Sequence, residues 1–297
     1  MNIYTQIESS KRRSAFFIFF FVLLVMALGF VISKVYNSPA IFYFAVVISV
    51  VQALVGYYSG DKIALSMTGA KEIKKSDNPK LWNDVENLCM TAGLPIPKVY
   101  IIQDQAPNAF ATGRDPKHAS LAVTTGLLER LDNTELQGVI AHELSHIGNY
   151  DIRLMTLVVV LVGVIAAISD IFIRFRIFGF GGRDNDNNSG GSGLWLVLAI
   201  VAAILAPLVA TLIQLAVSRK REFLADSSGA LLTRYPEGLA SALQKISLYT
   251  KPMEKTSSST AHLFISSPNG KKESSFVKLL STHPPIEERI DILRKMS

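Results

Sequence analysis

Four long blocks without a charged residue constrain this 297-residue chain more than any other feature. A helix that crosses a bilayer needs about 20 mostly apolar residues, within a range of about 17–25. The first, second and fourth blocks reach this range, whereas the third needs its polar flank or partial burial in protein to span. We therefore predict a multi-pass membrane protein with four transmembrane helices. The blocks are Ala15–Ile32, Pro39–Tyr58, Leu154–Ser169 and Gly193–Val217.

The positive charges around these blocks predict their orientation. Lys11–Arg13 precedes the first block and Arg219–Arg221 follows the fourth, while the two loops on the opposite side carry fewer basic residues. Because short cytoplasmic loops are rich in lysine and arginine, we expect both termini and most of the polar sequence to be cytoplasmic. The basic start of the first block also fits a signal peptide. A second block follows within a few residues, so we expect the first to remain as an anchor.

Charge distribution argues against a nucleic-acid binder, and the cysteine count excludes two uses of cysteine. The net charge of +6 would suit a nucleic-acid binder, but many of the basic residues flank the apolar blocks. We therefore expect the lipid bilayer as a partner and no nucleic acid. The single cysteine, Cys89, excludes an intrachain disulfide and a metal site built mainly from cysteines. Cys89 lies in an apolar helical stretch and is expected in the core.

The polar remainder has the patterns of a small domain with helices and a few strands. Strand patterns cover 99–103 and 120–124. Apolar residues at helical spacing predict helices at 81–91, from 133, at 218–232, at 236–249 and from 285. The predicted fold class is mainly α with a small β-sheet (α+β).

Two polar stretches are expected to form one cytoplasmic domain. Each hydrophobic hairpin returns the chain to the side on which it started, so the two stretches face the same compartment. The expected units are a transmembrane hairpin at 1–59, a first domain part at 60–150, a second hairpin at 151–217 and a second domain part at 218–297.

The residues that indicate chemistry are His142-Glu143-Leu144-Ser145-His146, on the helix predicted to start near 133. Histidines four positions apart project from the same side of a helix. Two such imidazoles can bind one Zn²⁺, and Glu143 can take a proton from metal-bound water. A polar helix face with two ordinary histidines is the alternative. The predicted helix and the adjacent membrane hairpin favour the zinc site.

A catalytic zinc site needs a third protein ligand, and Glu222 is the best candidate. His146 precedes the third block by about two helical turns, and Glu222 follows the end of the fourth. If these two spans form an antiparallel hairpin, both side chains emerge at the same membrane face. Asp226 lies one turn beyond Glu222, where it could accept the second ring N–H of a zinc-bound histidine. The alternative for Glu222 is an ordinary charged residue at a basic helix end.

Two of the other histidines have weaker patterns. His118 lies in a turn rich in lysine, aspartate and proline, and we expect it on the surface. His262 precedes an apolar triplet, and packing and cleft lining are equally compatible with that pattern.

Four motifs in order resemble the HtpX family of bacterial membrane zinc metalloproteases, which are related to the CAAX prenyl proteases. The similarity covers nearly the whole chain, including the order of the four apolar blocks. Phe223 stands where that family often has tyrosine, a departure that affects no catalytic residue. The motifs are Asn108–Gly113, His142–His146, Ser218–Asp226 and Ser281–Pro285.

The resemblance implies a role for each matching residue. It implies that His142, His146 and Glu222 bind one Zn²⁺ per subunit, that Glu143 is the general base, and that Asp226 lies behind a zinc-bound histidine. His283 resembles a histidine near the cleft that helps to stabilise the oxyanion. The substrate backbone is expected to align on an edge strand formed by Asn108, Ala109, Phe110 and Ala111.

The resemblance also implies the biological setting. It implies a metalloendopeptidase with a zincin-like domain on the cytoplasmic side of the bacterial inner membrane, in which Glu143 activates zinc-bound water. The implied substrates are polypeptides, in particular misfolded membrane proteins. The implied process is the stress response and quality control of the envelope, alongside the ATP-dependent membrane protease FtsH.

Three alternatives differ in class from this expectation. An intramembrane-cleaving protease would place the histidine motif inside a span, but polar residues on both sides of the motif argue against that. A membrane scaffold or transporter would use Asp170 as its functional group. A prenyl-protein protease usually has more spans and a large intramembrane chamber, and four blocks are too few to build such a chamber.

Overall fold

The computed structural model describes residues 3–35, 37–163, 218–255, 257, 259–270 and 284–296. Within this part of the chain, two helices are long and apolar enough to cross a membrane, α1 (Ile3–Val35) and α2 (Pro39–Thr68). They correspond to the first two predicted spans. The predicted fourth span, Asp170 and His283 lie outside the described residues.

Both membrane helices extend beyond the apolar blocks that predicted them. α1 begins at Ile3 and includes the basic Lys11–Arg13 cluster, and α2 continues ten residues past Tyr58. The end of α2 packs on the polar domain, because Ala64 and Leu65 are buried with residues of the sheet. The expected domain boundary at residues 59–60 therefore lies inside a continuous helix.

A four-stranded mixed sheet lies against the end of α2. Its order is β1-β2-β4-β3, with one parallel pair, β2–β4, and two antiparallel pairs. The predicted strands at 99–103 and 120–124 correspond to β2 and β4 within one residue at each end. The strands are β1 (Lys71–Glu72), β2 (Lys98–Ile102), β3 (Ala109–Gly113) and β4 (Ala119–Thr124).

The helices of the polar domain begin and end close to where the sequence predicts. α3 has Asn78 as its N-cap and Gly93, in the left-handed conformation, as its C-cap. A capping box between Asp132 and Glu135 fixes the start of α5. The helices are α3 (Pro79–Ala92), α4 (Thr125–Arg130), α5 (Asn133–Gly148), α6 (described over Asp151–Gly163), α7 (Arg219–Thr233), α8 (Pro236–Leu248) and α9 (Ile286–Arg294).

The sheet separates two apolar cores. Leu121 and Val123 of β4 face a core formed with α3, α5 and α8, whereas Ala122 faces a second core formed with α1, α2 and α6. This alternation along the strand is the two-residue period of a sheet buried on both faces. The result is a mainly helical domain with a small mixed sheet, which confirms that part of the predicted fold class.

An 85° bend separates α5 from α6. Tyr150 adopts a positive φ of 61° at this bend, a conformation that non-glycine residues seldom take. Because of the bend, α5 does not continue the direction of the third apolar block. It packs among α3, α7 and α8, with its buried acid Glu135 paired to Lys245. This packing favours an aqueous position for the histidine motif over an intramembrane one.

Two glycines allow the neighbouring helices to approach α5 closely. A Cβ atom at Gly138 would lie 2.7 Å from the backbone nitrogen of Leu239 in α8. A Cβ atom at Gly229 of α7 would lie 2.9 Å from the backbone nitrogen of His142. The second contact sets the distance between α7 and the histidine motif, so it controls where Glu222 and Asp226 lie.

We expect Gly229→Ala to lower the free energy of unfolding by about 1–3 kcal/mol, because the added methyl group overpacks the α5–α7 contact. Denaturant unfolding of the purified protein in detergent measures this change. The matched control is Gly148→Ala, whose added methyl group meets Leu94 at an ordinary 3.6 Å. Equal stability of the two variants would contradict the close-approach interpretation.

Candidate metal centre

Three side chains from two helices converge on one point. The Nε2 atom of His142 lies 3.8 Å from Oε2 of Glu222, and the Nε2 atom of His146 lies 3.4 Å from Oε1 of the same carboxylate. One possible ligand atom from each of the three residues lies within 4.8 Å of the others. The structure therefore brings together the three residues that the sequence predicts as metal ligands.

The motif helix orients the two imidazoles towards this point. His142 and His146 are one helical turn apart on α5, with ring centroids 4.8 Å apart and ring planes at 90°. Glu222 comes from the first turn of α7, which the Gly229 contact holds against α5. Two positions on one helix and one on a closely packed neighbour thus define the cluster.

Glu143 lies beside the cluster and is almost completely buried. Burial raises the pKa of its carboxyl group to about 7, and the nearby Glu222 adds to the rise. The backbone N–H of Ala111 in β3 and the imidazole of His146 oppose part of this rise in pKa. A carboxyl group with a pKa near neutrality can accept and release a proton at physiological pH, as a general base and acid must.

Each imidazole has a carboxylate on its other nitrogen. The Nδ1 atom of His142 lies 3.0 Å from Oδ1 of Asp226, and the Nδ1 atom of His146 lies 3.3 Å from Oδ2 of Asp151. The second contact is a hydrogen bond, and a hydrogen bond of this kind keeps the ring proton on Nδ1 and leaves Nε2 to bind a metal. The first is a close contact that is not aligned as a hydrogen bond. Asp226 lies where the sequence predicts it, whereas Asp151 is a residue that sequence reasoning missed.

Arg289 of α9 is a second residue that sequence reasoning missed. Its guanidinium group donates two hydrogen bonds to Asp226, of 2.8 and 2.7 Å, and lies 3.9 Å from Glu222. Burial alone would raise the pKa of Asp226, but Arg289 and His142 lower it to about 2. The carboxylate behind His142 is therefore held ionised and fixed in direction.

The charges around the cluster favour a bound cation. Four buried carboxylates (Glu143, Asp151, Glu222 and Asp226) meet two guanidinium groups, from Arg221 and Arg289, so acidic groups outnumber the arginines by two. Burial lowers the pKa of His142. Burial would also lower that of His146, but Asp151 and Glu222 raise the pKa of His146 to about 10. The electrostatic environment thus favours positive charge at the point where the ligand atoms meet.

The expected substrate strand is β3, which lies at one edge of the sheet. The chain itself already uses part of this edge. The backbone N–H of Ile265 donates to the carbonyl of Ala109, and the side-chain amide of Asn108 donates to the carbonyl of Ser266. Ala109 and Ala111 face the core around α5, whereas Phe110 faces the core around α6. The ring centroid of Phe110 lies 5.0 Å from that of Phe264.

The other two histidines in the described part of the chain, His118 and His262, and the cysteine are not part of the cluster. His118 is exposed and pairs with Asp115, as expected for a surface turn. His262 is buried, and its Nε2 lies 3.0 Å from the carbonyl oxygen of Met155, so it packs α6 against the segment that follows α8. Cys89 is fully buried in the core around α3 and α5.

Comparison with known proteins agrees with this geometry. Residues 75–297 match the model of peptidase family M48. The chain belongs to this family. Among similar proteins, an HtpX protease homologue of Tropheryma whipplei (strain Twist) is 47% identical over 99% of this chain and 98% of its own length. An HtpX protease homologue of Thermoanaerobacter pseudethanolicus is 45% identical over 100% of this chain and 98% of its own length.

Family M48 membership confirms the resemblance that the sequence motifs predict, and the chain is a membrane metallopeptidase. Membership implies a bound metal, and it removes the scaffold or transporter alternative. The crystal structure of S. mikatae Ste24p has the same fold, with a TM-score of 0.51 at 17% identity. The match covers 98% of this chain and 66% of that one.

We expect Arg289→Ala to lower the free energy of unfolding by about 3–5 kcal/mol, because it leaves Asp226 as a buried charge without its partner. Denaturant unfolding followed by intrinsic fluorescence measures the change. Arg294→Ala, on the same helix, is the control, because Arg294 pairs with Glu237 at the exposed surface and should contribute little. A loss no larger than that of the control would show that the Asp226 pair is not important for stability.

Proposed function

We propose that this chain is a zinc-dependent endopeptidase with one Zn²⁺ per subunit, held by His142, His146 and Glu222. The convergence of these three buried donors beside Glu143 is the observation that carries the proposal. Two imidazole nitrogens and one carboxylate oxygen are the donor set of many catalytic zinc sites.

The spacing of the donors supports zinc. Ligands about 2 Å from a tetrahedral zinc ion lie about 3.3 Å from each other. The Nε2 atoms of His142 and His146 lie 3.8 and 3.4 Å from different oxygens of Glu222, and one donor atom from each residue lies within 4.8 Å of the others. The donors would therefore move closer together by up to about 1.5 Å to reach that geometry. His142, His146 and Glu222 would supply the three protein ligands that catalytic zinc sites usually have.

A Zn²⁺ held by His142, His146 and Glu222 would supply a Lewis acid for a peptide carbonyl and would make water a better nucleophile at neutral pH. Glu143 takes the proton from the attacking water and passes it to the leaving amine. Its burial beside the ligand cluster places the carboxylate where both transfers occur. Asp226 and Asp151 keep the two imidazoles in the tautomer that presents Nε2 to the metal.

The substrate is proposed to bind as an extended strand along β3. Strand addition at a sheet edge uses backbone hydrogen bonds, which suits an enzyme that cleaves many sequences. The Ala109 carbonyl is one such group, and a substrate strand would take it over from Ile265. The role of His283 at the oxyanion stays a prediction from the family resemblance.

The proposed location is the bacterial inner membrane, with the peptidase domain and both termini cytoplasmic. α1 and α2 supply the anchor, and the end of α2 is part of the peptidase core. A site fixed this close to the membrane suits membrane-protein substrates. Misfolded substrates, envelope quality control and a functional link to FtsH are proposed from the family resemblance.

We expect Glu143→Gln to abolish casein cleavage by the purified full-length protein while one zinc per subunit remains bound. The amide keeps the shape of the side chain but cannot accept the water proton. Cleavage is measured by release of labelled peptides, and zinc by elemental analysis. Removal of zinc with a chelator should abolish the activity of the unsubstituted protein, and added Zn²⁺ should restore it.

The matched control for this experiment is Glu129→Gln on α4, a solvent-exposed residue outside the cluster. It should cleave casein at the unsubstituted rate. Wild-type cleavage by the Glu143 variant would show that another group is the base. Cleavage that persists after complete removal of zinc would refute the proposed chemistry.

We expect a cysteine at Lys75, introduced in a Cys89→Ala background, to react with a membrane-impermeant maleimide only after spheroplasts are lysed. Lys75 lies on the peptidase domain, which is proposed to be cytoplasmic. A cysteine at Asn37, in the exposed α1–α2 loop, should react in intact spheroplasts. The opposite pattern of labelling would invert the proposed orientation.

A further inference from the structure

Asp151 is buried at the point where α5 turns into α6, five residues after the second histidine of the motif. One oxygen, Oδ2, lies 3.3 Å from Nδ1 of His146. The other oxygen, Oδ1, has partners outside the ligand set. In the proposed chemistry Asp151 acts only by orienting His146. The Oδ1 atom of Asp151 has no part in that chemistry.

Two residues from other elements hold the second oxygen. The hydroxyl group of Ser10, in α1, donates to Oδ1 at 3.1 Å. The guanidinium group of Arg221, next to Glu222 in α7, donates to the same oxygen at 3.1 Å. One carboxylate therefore contacts the first membrane helix, the helix of the third ligand and the imidazole of the second ligand.

The contact with Ser10 lies at the end of α1 that meets the peptidase domain. Ser10 is 95% buried (5% exposed), and the adjacent Lys11 lies over the ring of Tyr150 at 4.4 Å. Tyr150 is the residue with positive φ that makes the turn before Asp151. Ser10 and Lys11 of α1 thus contact Asp151 and Tyr150 of the turn. These contacts hold Asp151 against the first membrane helix.

The two imidazoles of the cluster are consequently supported in different ways. Asp226, behind His142, is held by Arg289 of the peptidase domain. Asp151, behind His146, is held in part by a membrane helix. A movement of α1 relative to the peptidase domain would therefore change the direction of the His146 ring and leave that of His142 unchanged.

We propose that Asp151 is a positioning residue for His146, and that Ser10 couples the first membrane helix to the metal affinity of the site. This inference rests on the proposed function, since it takes His146 to be a zinc ligand. Residues that orient metal-bound histidines typically contribute 10–100-fold to metal affinity. The coupling would let the packing of α1 in the bilayer adjust how tightly the enzyme holds its metal.

The test measures the zinc dissociation constant of the full-length protein in detergent, by competition with a chromogenic chelator. Asp151→Asn should weaken zinc binding about 10–100-fold. Ser10 does not contact His146. Ser10→Ala should therefore weaken zinc binding only about 2–10-fold, the effect of one lost hydrogen bond. The visible absorption spectrum of the Co²⁺-substituted protein should also change in Asp151→Asn, because the ligand geometry changes.

The matched control is Asp132→Asn, the same substitution at the N-cap of α5, where asparagine also caps well. It should bind zinc with the unsubstituted affinity. A merely structural role for Asp151 would lower the folded fraction and leave the dissociation constant and the Co²⁺ spectrum of the folded protein unchanged. If Asp151→Asn does not fold, Asp151→Glu, which keeps the charge but displaces it, is measured in the same way.

Unchanged zinc affinity in the Asp151 variant would overturn the positioning role, and unchanged affinity in Ser10→Ala would overturn the coupling to α1. Both results would leave the proposed function intact, provided that the unsubstituted protein binds one zinc. Failure of the unsubstituted protein to bind zinc would instead refute the proposed function, and this inference with it.

Discussion

Buried negative charge is the constraint on which the rest of this structure depends. Four carboxylates lie around His142 and His146 with almost no solvent exposure, and two arginines compensate only part of their charge. Ionised groups are costly to bury unless they are paired or bind a metal. A divalent cation between the two Nε2 atoms and Glu222 would balance the remaining charge. The geometry of the ligands and the electrostatics of their surroundings therefore agree on the same occupant.

Close helix packing turns this charge cluster into a defined site. The Gly229 contact sets α7 against the motif helix, and α9 contributes Arg289 from near the C-terminus. The first membrane helix reaches the same cluster through Ser10 and Asp151. Anchor and peptidase domain are thus parts of one arrangement, since the membrane helix contacts Asp151, which contacts the candidate metal ligand His146.

Local patterns in the sequence predict the motif helix, the two strands β2 and β4, and the approach of His142 to His146, because one helical turn brings these two side chains together. They do not predict Arg289, which meets Asp226 only through tertiary packing 63 residues along the chain. The contact between Asp151 and His146 is even harder to predict from the sequence. In a straight helix, five residues would place it about 140° around the axis from His146. Only the turn at Tyr150, with its positive φ, brings the two side chains together.

X-ray absorption at the zinc edge of the purified full-length protein tests the central claim most directly. The account predicts one zinc per subunit, two imidazole ligands with nitrogen about 2.0–2.1 Å from the metal, and oxygen in the remaining positions. A spectrum without imidazole scattering, or with a single histidine, would contradict the assignment of His142 and His146 as a pair of ligands.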